Sequence, residues 1–225
     1  MLFLLTGDVQ TGKTRWLERL VETFDEAGVT SYGVLSPGVW IDHALAQEIG
    51  AEQKEARRSR EEGCQGEPRR RFEKIGIDTL FLPDKRQARF ALRRDIAQAS
   101  GLYADEDQAA RAGLIWHISD GAIDAVNEHF ASISRDLMNA CSSGADAQGI
   151  LIVDELGWLE LKHGAGFVEA VRLLDRGPQG EIEDAIIVVR EALLDIAEER
   201  FASLWGGCLR IDPSPEDLEK VLSRY

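Results

Sequence analysis

Near the start of the chain, Gly7-Asp8-Val9-Gln10-Thr11-Gly12-Lys13-Thr14 sets two glycines, a lysine and a threonine in the spacing GxxxxGK[ST]. Glycines at those positions let the backbone curl until successive N–H groups face inward, where they can bind phosphate oxygens. Lys13 would oppose its charge to the β- and γ-phosphates, and Thr14 would offer a hydroxyl to Mg²⁺. With Arg15 directly after, residues 7–15 form the candidate nucleotide-binding set: Gly7, Asp8, Val9, Gln10, Thr11, Gly12, Lys13, Thr14 and Arg15. The chemistry such a loop serves is phosphoryl transfer.

A second group lies far along the chain, where Ile150-Leu151-Ile152-Val153 runs into Asp154-Glu155. Neighbouring side chains of a strand point to opposite sides, so the two acids divide the work. Asp154 is the candidate metal ligand together with Thr14, and Glu155 the candidate general base that polarises a water. Charge building on the γ-oxygens also calls for a positioned cation. Arg93, Arg94, Arg111 and Arg190 are candidates. Arg190 is preferred because it follows an apolar strand, at the edge where open α/β sheets bind ligands.

The surrounding sequence supplies the elements that would position these groups. Leu2–Thr6 reads as a buried strand, and Lys13–Ala27 as a helix with Trp16, Leu17, Leu20, Val21 and Phe24 on one face. Ser31–Leu35 reads as the next strand, closed by Ser36-Pro37-Gly38. Alternation resumes with strands at Gly149–Val153, Ala185–Val189 and Gly207–Ile211, and helices at Gly166–Leu174, Glu191–Phe201 and Pro215–Leu222. These strands are continuous apolar runs, as parallel strands covered on both faces require. Five parallel strands are expected.

Between the second and third strands lies residues 39–148, expected to leave the sheet and re-enter beside the second strand. Phe72–Leu82 and residues 87–92 read as a hairpin turned by Pro83-Asp84-Lys85-Arg86, and a long helix begins near Ser119. Residues 51–71 are nearly devoid of large apolar side chains and read as an exposed helix end or a mobile loop. Long excursions in compact domains tend to be lids or binding elements. The 72–94 hairpin, with Lys74, Arg93 and Arg94, is therefore expected to close over the nucleotide. Trp16, Trp116, Trp158 and Trp205 read as core residues.

Asp154-Glu155-Leu156-Gly157-Trp158-Leu159-Glu160-Leu161 resembles the DE-[IV]-G-x-M-E-L signature of the small P-loop nucleoside-triphosphatases. That family includes the human cancer-related nucleoside-triphosphatase and its archaeal and bacterial relatives. The likeness extends over residues 1–38 and 149–211. It implies an α/β fold with a RecA-like five-stranded, mainly parallel sheet of order 5-1-4-3-2 flanked by helices. It also implies Mg²⁺-dependent hydrolysis of ATP, GTP and other nucleoside triphosphates with broad base tolerance. This chain departs from the family pattern at Gln10, at Arg15 and at Ser36-Pro37-Gly38-Val39-Trp40, where an arginine is usual.

Composition narrows the alternatives. The 225 residues are read as one domain, 1–225, with 39–148 as a lid-like insertion, and 44% hydrophobic residues suffice for a sizeable core. The net charge of −14 disfavours nucleic acid and anionic membranes as partners. Residues 54–94 nevertheless hold 13 Lys/Arg against 7 Asp/Glu, which leaves −20 on the rest. Three scattered cysteines suggest neither a disulfide framework nor a zinc site, the histidines lack ligand spacing, and no apolar run is long enough to span a bilayer. A cytoplasmic location is expected. Two other functions stay open at this point: a small-molecule or nucleotide kinase using the same loop, and a nucleic-acid-dependent ATPase or switch docking through its basic segment.

Overall fold

The computed structural model describes residues 1–8, 11–42, 72–114, 116–140 and 148–225. Five parallel strands run through its centre: β1 (Leu2–Leu5), β2 (Thr30–Leu35), β7 (Gly149–Leu156), β8 (Ile182–Val189) and β9 (Cys208–Ile211). Their spatial order is β9-β1-β8-β7-β2, which is 5-1-4-3-2 when only these strands are counted along the chain. β1 has a parallel neighbour on each side and is buried along its whole length. That double coverage is why it is apolar at every position.

Side chains alternate between two cores. Phe3, Leu5, Ile150, Ile152, Ile186 and Val188 face α1 (Lys13–Ala27), which contributes Trp16, Leu17, Leu20, Val21 and Phe24. Leu2, Leu4, Leu151, Val153, Ala185 and Ile187 face the other way. That second core is closed by Val126, Phe130, Ile133 and Leu137 of α4 (Asp120–Ala140), and by residues of α6 (Val168–Leu174) and α7 (Leu194–Phe201). Each fully buried Leu, Ile or Phe contributes about 1.5–3 kcal/mol of hydrophobic transfer free energy. This two-sided burial fixes the heights at which β1 and β7 end, and so the positions of the residues that follow them.

The sheet is larger than expected. Among the described residues it has nine strands of mixed direction, not five. β4 (Phe72–Leu82) pairs antiparallel with β2, β5 (Arg86–Arg93) with β4, and β6 (Trp116–Ile118) with β5. β3 (Gly38–Asp42) folds back along the first half of β4. The expected hairpin at 72–94 is present, but the expectation that the excursion leaves the sheet is corrected. Backbone groups of Gly33–Leu35 would otherwise form an unpaired sheet edge, and β4 takes up that pairing. The excursion re-enters, as expected, with β7 beside β2.

Smaller differences lie at the boundaries. Glu191–Leu193 is a 3-10 turn ahead of α7, and α6 starts at Val168. The short helices α2 (Arg94–Ala99), α3 (Gln108–Arg111) and α5 (Trp158–His163), with β3 and β6, carry no strong local pattern and are not foreseen. The final helix, α8 (Pro215–Leu222), starts where expected, with Ser214 accepting a hydrogen bond from the Asp217 N–H. The polar segment 51–71 lies outside the described residues. Among the described residues no helix is long and apolar enough to cross a membrane.

Candidate active site

Two strand ends and one helix start converge at the carboxyl edge of the parallel strands. After β1 the chain is held by the Thr6 N–H, which donates to the Ile211 carbonyl at 3.0 Å. It then turns through Gly7 and Asp8 into Thr11 and Gly12; Val9 and Gln10 lie outside the described residues. Gly12 has φ of 92°, a left-handed value that a side chain would strain, and it is the residue from which α1 departs. No side chain caps the first amides of α1, and its first turn has no acid. Uncapped N–H groups at a helix start form an anion site by their donors and dipole.

Lys13 folds back across the loop, and its ammonium donates to the carbonyls of Gly7 and Asp8, both at 2.8 Å. The Thr11 hydroxyl donates to the Asp8 carbonyl at 2.9 Å. Arg15 is exposed on the first turn of α1.

Thr14 joins the loop to the second motif. Its hydroxyl donates to Asp154 Oδ2 at 2.9 Å, across 140 positions of sequence. The Ser36 N–H donates to the same oxygen at 3.0 Å, and the Ser36 hydroxyl donates to the Asp154 carbonyl. Asp154 is only 4% exposed. Burial pushes its carboxyl up to about 6, and the charge of Glu155 adds to this; hydrogen bonds from Ser36 and Thr14 and the charge of Lys74 act in the opposite direction. A buried carboxylate beside a threonine hydroxyl is a hard oxygen donor pair suited to Mg²⁺. Among the described residues no group of three or more His, Cys, Asp or Glu could hold a metal unaided. A metal here would take its remaining ligands from phosphate and water.

Glu155 is less buried, and its Oε1 accepts a hydrogen bond from Arg190 Nε at 2.8 Å. The Arg190 side chain is 65% exposed, so the pair is a surface ion pair and contributes about 0–1 kcal/mol to stability. With Gly7, Asp8, Glu191 and Ala192, Arg190 lines an open depression of about 470 Å³. One guanidinium thus touches the candidate base and borders the phosphate loop.

The chain is similar over its whole length to THEP1 from the hyperthermophile Aquifex aeolicus, a solved structure, with 17% identity and a TM-score of 0.56, covering 98% of that chain. At that identity the likeness is one of overall fold. No protein-family model matches the sequence, and no curated protein matches it.

Of the other expected residues, Arg93 and Arg94 are held by protein groups. Arg93 pairs with Glu73 and Asp95, and Arg94 donates to the Leu114 carbonyl at 2.5 Å. Arg111 ends α3 and is exposed. Trp16 and Trp205 are core residues, whereas Trp158 is 43% exposed and Trp116 half-buried, a correction to the expectation that all four lie inside. The Lys162 ammonium covers the Trp158 ring at 4.4 Å from its centre.

Three residues gain roles that motif reading does not assign. Ser36 grips Asp154 from the end of β2. Glu160 is buried and accepts from the N–H groups of Gly157 at 2.8 Å and Phe167 at 3.1 Å, which ties down the segment after Glu155. Its position in the DELGWLEL run is the one sequence signal for it. Lys74, on β4, lies in the electrostatic field of Asp154 and Glu155; burial lowers its pKa while those two acids raise it.

Proposed function

We propose that the chain binds a Mg²⁺–nucleoside triphosphate at this edge and hydrolyses it to the diphosphate and phosphate, with broad base tolerance. The observation that carries the reading is the hydrogen bond from Thr14 to Asp154, which puts the phosphate loop and the acidic strand end in one site. The loop amides, the start of α1 and Lys13 hold the β- and γ-phosphates, with Lys13 exchanging its carbonyl partners for phosphate oxygens. Thr14 and Asp154 hold Mg²⁺, which supplies charge neutralisation at the phosphates. Glu155 takes the proton of the attacking water at its free carboxylate oxygen, while Arg190 fixes the carboxylate's orientation through the other. From the same position Arg190 faces the depression beside Gly7 and offers its remaining N–H donors to the terminal phosphate. The parallel order 5-1-4-3-2 supports a RecA-like core for this chemistry.

Nothing in these contacts reads a base, because loop, lysine and metal ligands all address groups that every nucleoside triphosphate shares. Phosphate release from ATP, GTP, CTP and UTP with Mg²⁺ and no added acceptor tests the reading. All four are expected to be cleaved, at rates within about tenfold of one another, as sites lacking base contacts discriminate weakly. Release only when an alcohol or nucleotide acceptor is present would make the protein a kinase and the reading wrong.

A further inference from the structure

The antiparallel direction of β4 carries its first half beyond the carboxyl ends of the parallel strands. Leu80 pairs with Leu35 at the end of β2, and the Asp78 N–H donates to the Pro37 carbonyl at 2.9 Å. Residues 72–77 then continue beside β3, with Gly38 opposite Ile77 and Trp40 opposite Lys74. Strand β4 therefore overhangs the edge at which the Asp154–Glu155 pair emerges.

Gly38 shows where the Lys74 side chain goes. A Cβ added at Gly38 would lie 2.8 Å from both Lys74 Cε and Trp40 Nε1 and 3.4 Å from Lys74 Nζ, so the lysine stem crosses the glycine at contact distance beside the Trp40 indole. Gly38 is two residues beyond Ser36, the residue that grips Asp154. The ammonium is 5.4 Å from the centre of the Trp116 ring and half-buried. Three other cations of the extension and its rim are paired with acids, Lys85 with Asp25, Arg89 with Asp78 and Arg93 with Glu73 and Asp95, while Arg94 is held by the Leu114 carbonyl and Arg86 lies over the Phe81 ring. Among the described residues no ion pair or hydrogen bond engages Lys74. With a ring face beside it and the charges of Asp154 and Glu155 in its field, but no hydrogen-bonded acceptor, this half-buried ammonium keeps N–H donors for an anion to complete.

We propose that Lys74 is a phosphate-contacting residue whose ammonium meets the terminal phosphate of a bound nucleoside triphosphate from the β2 side of the Asp154–Glu155 pair. Lys13 and Arg190 approach from the β1–β8 side. The inference rests on the proposed triphosphate site. Negative charge spreads over the γ-oxygens during transfer, and a compact ammonium stabilises it wherever it reaches them. A diphosphate lacks the group Lys74 addresses, so Lys74 sets the preference for triphosphate over diphosphate.

Titration calorimetry on the full chain with Mg²⁺ tests this, using a non-hydrolysable ATP analogue and ADP against wild type, Lys74→Met, Lys74→Arg, Gly38→Ala and Lys13→Ala. Lys74→Met is expected to weaken the triphosphate analogue at least tenfold and ADP less than twofold. Lys74→Arg should keep most of the preference. Gly38→Ala, which retains the charge but obstructs the stem, should fall between them, and it carries the test if Lys74→Met does not fold. Equal weakening of both nucleotides in the Lys74 and Gly38 variants, or no change in their ratio, would overturn the role of Lys74. Wild type binding neither nucleotide, or Lys13→Ala binding both as well as wild type, would instead remove the triphosphate site itself.

Discussion

The parallel half of the sheet and its antiparallel extension feed the same edge in different ways. Strands β1, β7 and β8 are buried on both faces, and each presents its candidate site residues at its carboxyl end: Gly7 to Thr14, Asp154 and Glu155, and Arg190. The extension has half-buried strands, and β5 runs from exposed Arg86 and Gln87 to partly buried Leu92 and Arg93, with Ala91 its one buried position. It brings Lys74, the proposed phosphate contact, from near the start of β4, by running the opposite way past the edge. The first arrangement follows from strand ends alone, whereas the second depends on the register of β4 against β2 and β3. The proposed phosphate and metal ligands thus belong to the more deeply buried half, and the proposed added cation to the half whose interactions are more exposed to water.

The largest contrast is chemical. Glu155→Gln keeps the shape of the base but cannot take a proton, so turnover should fall about 10²–10⁴-fold with triphosphate binding retained. Turnover near wild type would move the base elsewhere.

Next comes packing. Ile152, fully buried in β7, should cost about 2–5 kcal/mol as Ile152→Ala in chemical denaturation. A loss under 1 kcal/mol would mean that β7 is not the rigid support described.

Asp154 gives a pH-dependent effect of somewhat smaller size. Its folded value of about 6 lies above the ordinary 3.8, so the nucleotide-free fold binds this proton more tightly than the unfolded chain does. The stability it contributes is full below about pH 4 and is lost as pH rises through 6. The loss reaches at most about 3 kcal/mol. Asp154→Asn should therefore exceed wild type in stability at pH 8 without nucleotide, with the gap closing toward pH 4. A gap that widened on acidification would contradict the assigned burial effect.

The smallest effect is expected in the extension. Arg89→Ala removes an exposed partner of Asp78 and should change stability by less than about 1 kcal/mol, with a slight salt dependence in wild type.

The same contrast explains what the sequence discloses. Leu2–Leu5, Ile150–Val153 and Ala185–Val189 are legible because burial on two faces leaves continuous apolar runs, and the glycines and lysine of the loop have a fixed spacing. β3 is illegible because Gly38–Asp42 is half-buried or exposed throughout, and β6 because three residues hold no period. Thr14, Asp154, Glu155 and Arg190 can be named from motif and position, and the structure brings all four to one edge. Ser36 cannot be placed in this way, and Lys74 is named only alongside Arg93 and Arg94 in the hairpin expected to close over the nucleotide. Ser36 resembles any turn serine until it is seen to grip Asp154, and Lys74 is one cation among several in a basic segment until the β3–β4 register lays its stem over Gly38.

In the proposed reaction, water activated at Glu155 attacks the γ-phosphorus of a nucleoside triphosphate held by the loop. Hydrolysis in ¹⁸O-labelled water, followed by mass spectrometry of both products, tests it most directly. One solvent-derived ¹⁸O is expected in each released phosphate and none in the nucleoside diphosphate. Label in the diphosphate, or no Mg²⁺-dependent phosphate release without an added acceptor, would contradict it.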